Sequence, residues 1–136
     1  MTEPTPQERE FDADTAAIRR AREFVVAAAG AAQAAAPGAE LAERLALVVS
    51  ELASNAVLHA GTPFTVRVWR GPDRVRVEVM DRSDRMPTPR DHDPTAVSGR
   101  GLAIVGTLAD RWGVEVVEGG KCVWAELPVD PVPTTS

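Results

Sequence analysis

The chain has 136 residues with 44% hydrophobic and 26% charged residues, which fits one soluble globular domain. A net charge of −5 argues against a nucleic-acid surface, which needs clustered Lys and Arg to neutralise phosphates. A single cysteine, Cys122, excludes an internal disulfide framework and any multi-cysteine metal site.

Residues Met1 to Glu10 are polar and acidic, without the basic and then apolar order of a secretory signal. The alanine-rich run Val25 to Ala36 is too short and too mildly apolar to span a membrane. Cytoplasmic residence, with no membrane partner, is the expectation. Residues 1–8 and 129–136 read as disordered tails around one domain over residues 9–128.

A first helix is expected from about Thr15 to Ala35, capped by Asp12 or Asp14 and stopped by Pro37-Gly38. A second follows from about Ala39 to Ala60, with Gly61 as terminator. The period then changes to two. Phe64, Val66 and Val68 alternate with Thr65, Arg67 and Trp69; Val75, Val77 and Val79 alternate with Arg74, Arg76 and Glu78. With the turn Arg70-Gly71-Pro72-Asp73 between them, these predict an antiparallel hairpin with one buried face.

Asp81 to Ser98 reads as a long charged loop, a length that in a compact domain often signals function. A short helix from about Gly101 to Ala109 comes next, then strands at roughly Arg111 to Glu118 and Lys121 to Leu127 across the Gly119-Gly120 turn. The expected architecture is a two-layer α/β sandwich (α+β), a mostly antiparallel sheet of about four or five strands with helices on one face.

The second helix carries the chemistry. At about 100° per residue, Leu41, Leu45, Val48, Val49, Leu52 and Ala56 fall within one apolar arc. Glu51, Asn55 and His59, four residues apart, border that arc or drift into it. A carboxylate and a carboxamide there are either a solvated rim or the lining of a cavity, since burying them unpartnered costs several kcal/mol. His59 reads as a core or pocket-edge residue, His92 as part of a solvated acidic loop with Asp91 and Asp93, and Trp69, Trp112 and Trp124 as sheet packing.

Four segments in order then bear on that choice. Glu51-Leu52-Ala53-Ser54-Asn55-Ala56-Val57-Leu58-His59 resembles the N-box of the GHKL ATPase/kinase superfamily. Asp81, directly after the strand Val75 to Met80, resembles the aspartate of the G1 box. Ser98-Gly99-Arg100-Gly101-Leu102 resembles the G2 box, and Gly120 to Pro128 resembles the closing strand. The resemblance covers nearly all of Phe11 to Pro128 and is nearest to short actinobacterial anti-sigma-factor serine/threonine kinase-like proteins.

The resemblance implies ATP and Mg²⁺. Asn55 would ligate the metal and Glu51 would be the catalytic base. Asp81 would accept a hydrogen bond from the adenine amine. Ser83, Met86, Gly99, Arg100, Gly101, Leu102 and Lys121 would complete the ATP site, Gly99 and Gly101 letting backbone amides approach the phosphates. Arg100 either touches phosphate or faces outward.

The implied partners are a sigma factor and an anti-sigma-factor antagonist, with a possible homodimer and no direct nucleic-acid contact. The pattern departs from the family at Ser83 and Arg85, which replace G1-box glycines, and at Lys121, which stands where a threonine is common. These departures bear on ATP affinity rather than on fold, and they support an alternative: a non-catalytic partner-switching module. A detached histidine-kinase catalytic domain is a weaker third reading, because no dimerisation helix pair is present.

Overall fold

Alternating apolar residues build one continuous inner sheet face, which the helices cover. The computed structural model describes residues 6–31, 39–83 and 97–129, with the backbone alone for residues 31, 39 and 97–102. In chain order the elements are β1 (Gln7–Phe11), α1 (Thr15–Ala31), α2 (Ala39–Ser54), a π-helical turn (Asn55–Ala60), β2 (Phe64–Arg70), β3 (Arg74–Asp81), α3 (Val97–Leu108), β4 (Arg111–Val117) and β5 (Gly120–Pro128). The five strands form one sheet in the order β1-β2-β3-β5-β4, antiparallel at every pairing. The expected two-layer α+β sandwich is therefore what the chain adopts.

The predicted hairpin is β2–β3, in register Val66↔Val79 and Val68↔Val77. On the inner face Phe64, Val66, Val68, Val75, Val77, Val79, Val123, Ala125 and Leu127 are buried beneath α1 and α2. The predicted stripe of α2, Leu41, Leu45, Val48, Val49, Leu52 and Ala56, is buried without exception. From α1 come Ala17, Ala21, Val25, Ala28 and Ala29, small side chains that fill the layer. Asp14 caps α1, its Oδ1 accepting the Ala17 amide at 2.8 Å. The predicted stop at Pro37-Gly38 lies outside the described residues.

The opposite sheet face is polar. Arg76 bonds Glu126 at 2.8 Å and Glu78 at 3.0 Å, and its guanidinium lies 4.4 Å from the Trp124 ring centre. Arg67 reaches Glu8 at 2.9 Å. Cross-strand charge pairs and a ring under a guanidinium suit a solvated face.

Three expectations need correction. The tail assigned to residues 1–8 includes Gln7 and Glu8, which are strand residues paired with Val68 and Arg67. This edge strand has one apolar anchor, Phe11, stacked on Phe64 with ring centres 5.5 Å apart; its charges suit an exposed edge. The second helix is not α-helical to Ala60: its last turn is π-helical, closed by Gly61 N–H donating to Ala56 C=O at 2.8 Å. The short helix starts at Val97, so Gly99 and Gly101 lie inside it and not in a turn before it.

Candidate functional site

The π turn sets the geometry of the site. A π turn bonds i to i+5, so it advances each residue by less than the 100° of an α-helix, and such turns are frequent at functional sites. Glu51 lies on the last regular turn of α2, and Asn55 opens the π segment. The altered phase carries His59 out of the apolar arc. It is exposed, which corrects the core or pocket-edge reading. Gly61 ends the turn at φ +67°, a left-handed conformation that glycine tolerates without cost from a Cβ.

Asn55 is 4% exposed, and its Nδ2 is buried without a hydrogen-bond partner. A 180° flip of the carboxamide would put Oδ1 at the same place, so that end can serve either an anion or a cation. Leaving such a group unsatisfied costs about 1–3 kcal/mol. Ligation would remove that cost. Glu51, one turn earlier, is half-buried, and burial raises its carboxyl above the usual carboxylate range. Among the described residues none bonds to its carboxylate.

The π turn packs against β3, whose last residue is Asp81. Strand alternation after Val75, Val77 and Val79 turns Asp81 to the inner, helix-covered face. It is 5% exposed, and its cross-strand partner is Lys121, 3% exposed. Lys121 Nζ lies 2.9 Å from Asp81 Oδ2 and 3.0 Å from Oδ1. Ser83 N–H donates to Oδ1 at 2.9 Å, which turns the chain back after β3. Arg82 N–H donates to Thr62 Oγ1 at 3.0 Å, tying the end of β3 to the segment after the π turn.

Of the sequence-predicted site residues, Asn55, Asp81 and Lys121 are buried at the sheet–helix interface, with Glu51 partly covered on the same helix. Ser83 joins them through its backbone. Gly99, Arg100, Gly101 and Leu102 form the first turns of α3, which packs on α2, but their side chains are outside the described residues. Met86, Arg85, His92, Asp91 and Asp93 are also outside them. Among the described residues no group of three His, Cys, Asp or Glu side chains could hold a metal, so a cation here would depend on the Asn55 carboxamide and on its ligand's own oxygens. No helix among the described residues is long and apolar enough to cross a membrane.

One residue that sequence reasoning left without a role is Gly120. A Cβ there would overlap the Asp81 carbonyl oxygen and crowd Arg82 Cα. The absence of a side chain lets β5 lie close against the end of β3, with Lys121 opposite Asp81. The turn expected at Gly119-Gly120 lies at Glu118-Gly119, and Gly120 is the first residue of β5, paired with Val117; its close approach to Asp81 depends on the register.

The fold is that of an ATP-binding domain of the GHKL type. The model of the histidine kinase-like ATPase domain matches residues 11–127, and the chain belongs to that family. It is also 40% identical over 88 residues to the uncharacterized protein SCO4941 of Streptomyces coelicolor, a match covering 61% of this chain and 84% of that protein.

Proposed function

We propose that the chain is a Mg²⁺-ATP-dependent protein serine/threonine kinase of the anti-sigma-factor type, and that its substrate is a serine of an anti-sigma-factor antagonist. The observation that carries this reading is the pairing, one helical turn apart, of a half-buried carboxylate with a raised pKa and a buried carboxamide with an orphan amide nitrogen.

In this reading Asn55 holds the metal, and Mg²⁺ when bound offsets the charge of the phosphate oxygens. Glu51 takes the proton from the incoming serine hydroxyl as its oxygen bonds the γ-phosphorus and the bond to the β-phosphate oxygen breaks, releasing ADP. Desolvation makes Glu51 a stronger base than a free carboxylate. Backbone amides in the first turn of α3 would approach the phosphates. Modification of the antagonist would then release the chain to engage a sigma factor, and the whole exchange would be cytoplasmic.

A second reading is a non-catalytic partner-switching module. The buried Asp81–Lys121 ion pair favours it, because the acid assigned to the base is already engaged. Incubation with γ-labelled ATP and a serine-bearing antagonist separates the two. Label on serine, lost in Glu51→Ala with nucleotide binding kept, supports the kinase. A tight complex with no transfer refutes it and leaves the module.

A further inference from the structure

Lys121 is the feature of the site that the proposed reaction leaves unused. Its ammonium meets both oxygens of Asp81, at 2.9 and 3.0 Å, and one of those oxygens also takes the Ser83 amide. The lysine and aspartate side chains are 4% and 2% exposed, so water does not weaken the pair. The pair is also held in place by the backbone. Asp81 and Lys121 face each other in the β3–β5 register, and Gly120 brings β5 against the Asp81 carbonyl.

We propose that Lys121 is a specificity-determining residue, an internal competitor that takes the place on the Asp81 carboxylate which a purine's exocyclic amine would occupy, so that the chain binds nucleotides by their polyphosphate with no preference for adenine. The proposal rests on the nucleotide-site reading above. An adenine amine is a neutral donor. It reaches Asp81 only in competition with the Lys121 ammonium and the Ser83 amide, which already occupy both carboxylate oxygens, and displacing the ammonium would leave it buried without its counter-ion, a strongly unfavourable exchange. Guanine presents a carbonyl oxygen at the corresponding position. A free Asp81 would repel that oxygen, whereas a lysine ammonium, which carries three donors, can donate to it. The tenfold to hundredfold selectivity that a charged hydrogen bond to the base confers (roughly, from its usual strength) is therefore absent.

The test measures the affinity of the full chain for Mg²⁺-ATP, Mg²⁺-GTP and Mg²⁺-tripolyphosphate by calorimetry, alongside Lys121→Met. The wild type should bind ATP no more tightly than GTP, within about threefold, while Lys121→Met should favour ATP by roughly tenfold or more. A wild type that prefers ATP by roughly tenfold overturns the proposal, as does a folded Lys121→Met with an unchanged ratio. If that variant does not fold, the wild-type ratio decides alone. Failure of all three polyphosphates to bind the wild type would instead overturn the nucleotide-site reading, and the proposal with it.

Discussion

Replacing Lys121 with methionine keeps most of the length of the side chain and removes its charge, so the cost falls on Asp81. In the wild type the Nζ lies 2.9 Å from one carboxylate oxygen and 3.0 Å from the other. With charge centres about 4 Å apart and an effective dielectric constant of about 20, the attraction is on the order of 4 kcal/mol. The variant strands a carboxylate that is 2% exposed and keeps the hydrogen bond from the Ser83 amide. Breaking one side of a buried pair costs about 3–5 kcal/mol, a large share of the roughly 5–15 kcal/mol that holds a domain together.

The double variant Asp81→Asn, Lys121→Met removes both charges and keeps an acceptor for Ser83. It should recover most of the loss, because the desolvation of the two ions largely cancels their attraction. Urea unfolding followed by tryptophan fluorescence measures both. A single variant that loses less than about 1 kcal/mol, or a double variant as unstable as the single, would refute the view that this pair is a tightly coupled buried unit.

Three further outcomes follow from particular groups. Burial raises Glu51, so the acid limb of the phosphoryl-transfer rate should lie above the usual 4.5; activity rises with pH through that raised value, and a limb at or below 4.5 would argue against Glu51 as the base. Gly61→Ala should cost about 1–2 kcal/mol by urea unfolding, because φ is +67° and open space around the site leaves the backbone as the sole source of strain. The Cys122 thiol is pushed up to about 12, first by burial and then by the charges of Glu78 and Glu115. Iodoacetamide should label it slowly at pH 8 in the native chain and fast in urea. The same shift makes the unfolded thiol ionise first above pH 9.0, so this group's contribution to stability falls as pH rises from there towards about 12.

Much of the fold was legible because it follows from two periods. The alternation in Phe64 to Val68 and Val75 to Val79 marked the hairpin, and the arc from Leu41 to Ala56 marked the buried face of α2. The strand Gln7–Phe11 was not legible, because four of its five residues are polar and it draws on pairing with β2 rather than on a stripe of its own. The wheel placed His59 towards the core because it assumed α-helical rotation throughout, and the π turn appears only when the i to i+5 bonds do. The short helix was started late because two glycines near its beginning read as a turn.

Sequence pattern singled out four polar residues that the structure buries or partly buries. Glu51, Asn55, Asp81 and Lys121 were all singled out, yet the bond between the last two was missed. It follows from register: Asp81 lies two residues beyond Val79, Lys121 two before Val123, and Val79 pairs with Val123. Sequence pattern shows which face a strand buries, whereas the partner opposite each residue depends on how two distant strands slide against each other.

The central claim is that the buried carboxamide of Asn55 belongs to a nucleotide site. Thermal unfolding with and without Mg²⁺-ATP, for the wild type and Asn55→Ala, tests it most directly. Ligand at about a hundred times its dissociation constant should stabilise the wild type by about 2.7 kcal/mol, and Asn55→Ala should lose that gain while remaining folded. An equal gain in both proteins, or none in the wild type at saturating nucleotide, would contradict the account.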